Sequence, residues 1–129
     1  MKVEIYKLIE KANDCLESAE LNQKEGFYDA AVNRSYYAVF DVLTALLLSK
    51  GITVKSHSGA IKQFANYFIR TEILKIEMQE VLIFCFHKRQ KGDYDLYSDI
   101  LESEGLESIE KARYFVNNCK VWLELYVLN

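Results

Sequence analysis

The chain has 129 residues, half of them hydrophobic, enough to bury a core without disulfide or metal staples and too many for extended disorder. A net charge of −3 and a pI of 5.4 exclude a broad basic face of the kind that grips duplex nucleic acid, leaving only a local basic patch open. Cys15, Cys85 and Cys119 form no CxxC and fall at apolar helical positions, which predicts buried, reduced thiols in a cytoplasmic protein. The first residues, MKVEIYKLIEK, carry acids and are amphipathic, unlike a signal peptide, and no run approaches the ~18 apolar residues of a membrane span.

The first predicted helix covers residues 3–24. Ile5, Leu8, Ala12, Cys15, Leu16 and Ala19 recur at three- and four-residue steps. Gly26 marks a turn, and Asp29 is placed to cap the next helix. That second helix, residues 30–48, is the most apolar stretch of the chain. Wound at roughly 100° per residue, it gathers Asn33, Arg34, Tyr37, Asp41 and Thr44 into an arc of about 100°. Val32, Val39, Phe40, Val42, Leu43, Leu46 and Leu47 cover the rest, so this helix should sit among several neighbours. Lys50-Gly51 ends it, with glycine suited to a left-handed cap.

Residues 52–55 connect to Ser56-His57-Ser58-Gly59, a helix start with serine as cap. A short third helix, residues 59–70, would bury Ile61, Phe64, Ala65 and Phe68. A fourth begins at 71–72 and reaches about residue 89, with Leu74, Met78, Leu82, Cys85 and Phe86 on its apolar face. Residues 91–103, polar and tyrosine-rich, read as a structured loop with at most one helical turn. The last helix, residues 104–127, aligns Leu106, Ile109, Ala112, Val116, Cys119, Leu123 and Tyr126. There is no internal repeat and no linker. Residues 1–129 are therefore read as one all-α domain, an antiparallel up-down four-helix bundle with an additional short helix.

Two arginines stand out. On the second helix Asn33, Tyr37 and Asp41 stack four residues apart with Arg34 beside them. Arg34 and Asp41 lie two turns apart, about 10.5 Å along the axis, so a third group would have to bridge them. Arg89 continues the apolar stripe of the fourth helix in phase with Met78, Leu82 and Cys85. A guanidinium starting from the core side needs an acid or an anionic ligand; Asp41, Asp93 and Asp95 are the candidate acids. The alternative is an arginine placed at a helix C-terminus by the macrodipole. Lys55 with the free amides at Ser56–Gly59 could hold a phosphate or be an ordinary cap. Tyr36, Tyr37, Tyr94 and Tyr97 could stack on bases or simply pack. Neither His57 nor His87 has a metal-ligand spacing, Glu-x-x-His is absent, and no phosphate-binding loop or nucleophile elbow occurs, so no metal or cofactor is implied.

AAVNRSYYAVFDVLTALLLSKG, KSHSG, RQKGDYD and SIEKARYFVNN, in that order and spacing, resemble the small stand-alone prokaryotic HEPN domains (higher eukaryotes and prokaryotes nucleotide-binding). The resemblance spans nearly the whole chain. It implies an antiparallel helical bundle, frequently a homodimer, encoded beside a minimal nucleotidyltransferase and often paired with it as toxin and antitoxin. Many members are metal-independent ribonucleases. That branch carries an arginine and a histidine separated by four to six residues. Arg89 fits, but Tyr94, Asp95 and Leu96 stand where the histidine would fall, so the obvious proton-transfer group is missing. Asp93-Tyr94 instead resembles the Arg-x-x-x-Asp-Tyr form of a related branch.

Three functions compete. The first is a binding module that engages a nucleotidyltransferase partner, nucleotide or RNA through Arg34, Tyr37, Asp41, His57, Arg89, Asp93 and Tyr94. The second is a ribonuclease toxin with an unusual acid/base, in which Arg89 and His57 are the candidate catalytic residues; the incomplete motif weighs against an enzyme. The third is a structural dimerisation module. His57 helps the second only if folding brings it to Arg89.

Overall fold

In a computed structural model residues 1–96 and 99–129 are described. Tyr97, one of the four tyrosines considered for stacking, lies outside the described residues. Five α-helices and no strand occur among the described residues: α1 (Lys2–Lys24), α2 (Tyr28–Ser49), α3 (His57–Phe64), α4 (Ile76–Tyr94) and α5 (Glu102–Tyr126). A single π-helical turn, Ala65–Ile69, extends α3.

α2 is the centre of the bundle and packs on α1, α3, α4 and α5. Its apolar residues leave no other arrangement: Val32, Val39, Val42, Leu43, Leu46 and Leu47 are fully or almost fully buried on different sides of the helix. The short turn through Gly26, at φ 85°, sets α1 antiparallel to α2. Tyr37 meets Arg89 and Asn33 meets Asp93, so α4 runs antiparallel to α2. Lys88 and Lys91 meet Glu104, which sets α5 antiparallel to α4. The result is the up-down four-helix bundle read from the sequence, with α3 in the α2–α4 connection.

Gly51 closes α2 at φ 76°, and Ser56 caps α3 by accepting the Gly59 N–H at 3.0 Å, both as read from the sequence. Several boundaries differ. Asp29 does not cap α2; Phe27 is the N-cap residue without a side-chain bond, and Asp29 lies in the first turn. α4 begins at Ile76, because the Leu74 N–H bonds back to the Phe68 carbonyl and Glu72 takes a left-handed φ of 61°, which closes a turn over residues 71–75. α4 also runs through Tyr94. Gly92 and the polar residues around it look like a loop in isolation, yet an Arg89–Asp93 pair at i,i+4 supports the extra turn. α5 starts at Glu102, where the Glu104 carboxylate accepts the Leu101 N–H at 3.2 Å. Leu106 and Tyr126 are exposed and not in the core, since they flank the stripe formed by Ile109, Ala112, Val116, Cys119 and Leu123. Cys85 and Cys119 are buried, Cys15 only half so, and all three are free thiols. Among the described residues no helix is long and apolar enough to cross a membrane.

Candidate functional site

Asn33 and Tyr37, from the polar arc of α2, face the last two turns of α4. Arg89 leaves α4 at the edge of the core, and its side chain is only 14% exposed. Nε donates to Asp93 Oδ2 at 3.1 Å, and Nη2 donates to the hydroxyls of Tyr94 at 3.1 Å and Tyr37 at 3.3 Å. The guanidinium carbon lies 5.3 to 5.5 Å from the ring centres of Tyr36, Tyr37 and Tyr94, within cation–π range. Nη1 has no hydrogen bond among the described residues. Of the three candidate acids, Asp93 is the one that pairs with Arg89. The helical extension puts it there.

Asn33 ties this group to Arg34. Its Nδ2 donates to the same Asp93 Oδ2 at 2.9 Å, and its Oδ1 accepts from Arg34 Nε at 3.0 Å and Nη2 at 2.7 Å. Arg34 lies 5.1 Å from the Tyr37 ring centre. The group that bridges Arg34 to Asp41 comes from α1. Cys15 Sγ stands 4.0 Å from Arg34 Nη1 and 3.8 Å from Asp41 Oδ2. Burial raises the Asp41 carboxyl above its usual range against the opposing pull of Lys11, and burial together with Asp41 raises the Cys15 thiol. Asp41 therefore belongs to an α1–α2 contact beside Arg34 and is not the acid paired with Arg89.

His57, the first residue of α3, stacks on Phe40 with centroids 4.2 Å apart, and Nδ1 is hydrogen-bonded to the Tyr36 hydroxyl. Burial first, then the Arg89 charge, holds the imidazole below its usual pKa, so it is neutral near pH 7. Burial pushes the Tyr36 phenol up, keeping its proton. That proton needs an acceptor, and Nδ1 supplies one, which leaves the ring hydrogen on Nε2. The fold thus brings the imidazole alongside Arg89 with Tyr36 between them.

Arg34, Tyr37, His57, Arg89, Asp93 and Tyr94 form one continuous cluster. Asn33, Tyr36 and Phe40 complete it. The sequence marks Asn33 only as part of the polar arc, and Phe40 only as apolar; their partners are far away along the chain. Among the described residues no group of three or more His, Cys, Asp or Glu side chains could hold a metal ion.

The family model described as HEPN domain matches residues 5–122. The chain belongs to the HEPN family. Among its relatives, "Putative toxin MJ0142" of Methanocaldococcus jannaschii is 42% identical over 95% of this chain and 83% of its own length. A "UPF0332 protein" of Thermotoga maritima is 34% identical over 88% of this chain and 86% of its own. "Putative toxin MJ0605", also of M. jannaschii, is 33% identical over 93% and 89%. Within the HEPN fold Arg89, Asp93 and Tyr94 all lie on α4, Asp93 and Tyr94 in its last turn.

Proposed function

We propose that this HEPN protein is a toxin-like binding module that holds RNA or a nucleotide at the Arg89 cluster. Arg89 grips a phosphate, the exposed Tyr94 offers a ring face to a base, Tyr37 backs the guanidinium, and Asp93 sets its angle. In this reading the protein acts as a cytoplasmic homodimer beside a minimal nucleotidyltransferase, and Arg34, Asp41 and His57 line or support the same site. The observation that carries it is a guanidinium 14% exposed among three tyrosine rings, whose Nη1 has no hydrogen bond among the described residues. The names of two relatives support the toxin-like role. The experiment is a titration of labelled single-stranded RNA against wild type and Arg89→Ala. At least tenfold weaker binding by the variant is expected, since a charge-assisted contact is lost; equal affinities refute the assignment.

One observation favours a second reading, metal-independent RNA cleavage. His57 is neutral and lies next to the Tyr36–Arg89 contact, so an imidazole is at hand although the motif lacks one. RNA incubated with wild type in EDTA separates the two readings. Cleavage that falls in both Arg89→Ala and His57→Ala supports an enzyme, and no cleavage by wild type removes it.

A further inference from the structure

Arg34 is half-buried and, among the described residues, has no carboxylate in direct contact. Arg89 is paired with Asp93, whereas no carboxylate lies within 4.0 Å of Arg34 among the described residues. Its Nε and Nη2 are spent on a neutral amide oxygen of Asn33, and Nη1 meets only the Cys15 sulfur at 4.0 Å. Asp41 stands on the other side of that sulfur, 3.8 Å from it, so its charge acts on Arg34 without a direct contact. A guanidinium fixed at this depth beside a second guanidinium is costly unless an anion arrives.

Both arginines lie over one ring. Arg34 is 5.1 Å and Arg89 5.5 Å from the Tyr37 centroid, so their separation cannot exceed the sum of these two distances. Adjacent phosphates of one strand are joined through a single sugar, so they lie further apart than the roughly 3.4 Å rise along a duplex axis and still fall inside this upper bound. Each cation can therefore meet one of two neighbouring phosphates. Asn33 fixes the spacing, because its amide holds Arg34 through Oδ1 and the Asp93 partner of Arg89 through Nδ2.

We infer that Arg34 and Arg89 form a two-point clamp for successive phosphates of a single RNA strand, with Tyr37 as the spacer between them. The inference rests on the RNA-binding reading above and narrows it: the ligand is an oligonucleotide of at least two backbone phosphates, and a mononucleotide fills only the Arg89 half. Asn33 is a positioning residue that keeps the two prongs in register.

The test uses a fluorescein-labelled uridine hexanucleotide and, as competitor, uridine monophosphate, each titrated over a range of salt concentrations. Against the hexanucleotide, Arg34→Gln should lose about tenfold in affinity. Its plot of log affinity against log salt should become shallower by about 0.7, the value for one phosphate contact on a single strand. Arg34→Lys should keep most of the salt slope. Uridine monophosphate should lose much less affinity than the hexanucleotide in Arg34→Gln; equal losses for the two ligands overturn the clamp. An unchanged slope in Arg34→Gln, with binding lost in Arg89→Gln, overturns the clamp and leaves the RNA-binding reading standing. Equal hexanucleotide binding by wild type and Arg89→Gln, or no binding by wild type, overturns both. Thermal melts of each variant separate misfolding from loss of contact, and Asn33→Asp offers a folded alternative. Its carboxylate repels Asp93 and pairs Arg34, so it should weaken the hexanucleotide more than the monophosphate; equal weakening of both counts against the clamp.

Discussion

Glu104 joins the site-bearing end of α4 to the first turn of α5, and replacing it with glutamine measures how firmly. Its carboxylate accepts from Lys88 at 2.7 Å and from Lys91 at 3.1 Å, and its side chain is only 13% exposed. The Lys88 hydrogen bond is the main cause that brings its pKa down from 4.5 to about 2, helped by the Leu101 N–H and by Lys91. At ~1.4 kcal/mol per pH unit the full drop corresponds to at most ~3.5 kcal/mol. Lys91 is 37% exposed, so water screens part of this, and about 1–2 kcal/mol remains. Glu104→Gln keeps an oxygen for the Leu101 amide, which confines the change to the charge. The sign follows from linkage: a carboxylate with a depressed native pKa contributes fully above pH 4.5 and loses its contribution as pH falls toward 2. Urea unfolding at pH 7 should show the variant about 1–2 kcal/mol less stable, and the gap should close between pH 4.5 and 2. An identical midpoint at pH 7, or a gap that persists unchanged to pH 2, refutes the argument.

Leu46, fully buried on α2, should cost about 2–5 kcal/mol as Leu46→Ala, measured by urea unfolding, because the surrounding helices cannot close the cavity. Glu72, at φ 61°, should gain stability on replacement by glycine, by about 0.5–1 kcal/mol, and a melting temperature no higher than wild type would contradict the strain. His57, whose imidazole is depressed by burial and then by Arg89, should titrate below 6.5 by NMR, and Arg89→Gln should move it part of the way back. Because the unfolded chain binds that proton more readily, His57 lowers stability as pH falls below about 6.5. An aromatic thiol reagent should leave Cys85 and Cys119 untouched in the native protein and reach Cys15 slowly; fast labelling of Cys85 would contradict its burial, which pushes its thiol to about 12.

The fold was readable because its signals are local. Ile5, Ala12, Leu16 and Ala19 repeat with helical spacing on α1, α2 is apolar around most of its circumference, and Gly26 and Gly51 sit where left-handed backbone is needed. Arg89 was readable too, since a charge in phase with Met78, Leu82 and Cys85 must start at the core edge. What surrounds it was not. Asn33 and Asp93 are 60 residues apart, Tyr36 and His57 are 21, and Cys15 and Asp41 are 26. Such contacts depend on how helices pack, and single-helix periodicity carries no trace of that. The last turn of α4 was hidden for a different reason. Gly92 and Asp93 have poor intrinsic helix propensity, which the tertiary bonds of Asp93 to Asn33 and Arg89 override.

The two sides of the cluster differ in how they are held. α2 is packed against every other helix, so its backbone amides around Tyr36 and Tyr37 should exchange with solvent deuterium only through unfolding of the whole bundle. The final turn of α4 ends the helix and carries exposed Asp93 and Tyr94, so its amides should exchange through local fraying at far lower free energy. A bound anion would thus find one wall already rigid and would gain its protection signal almost entirely on the other.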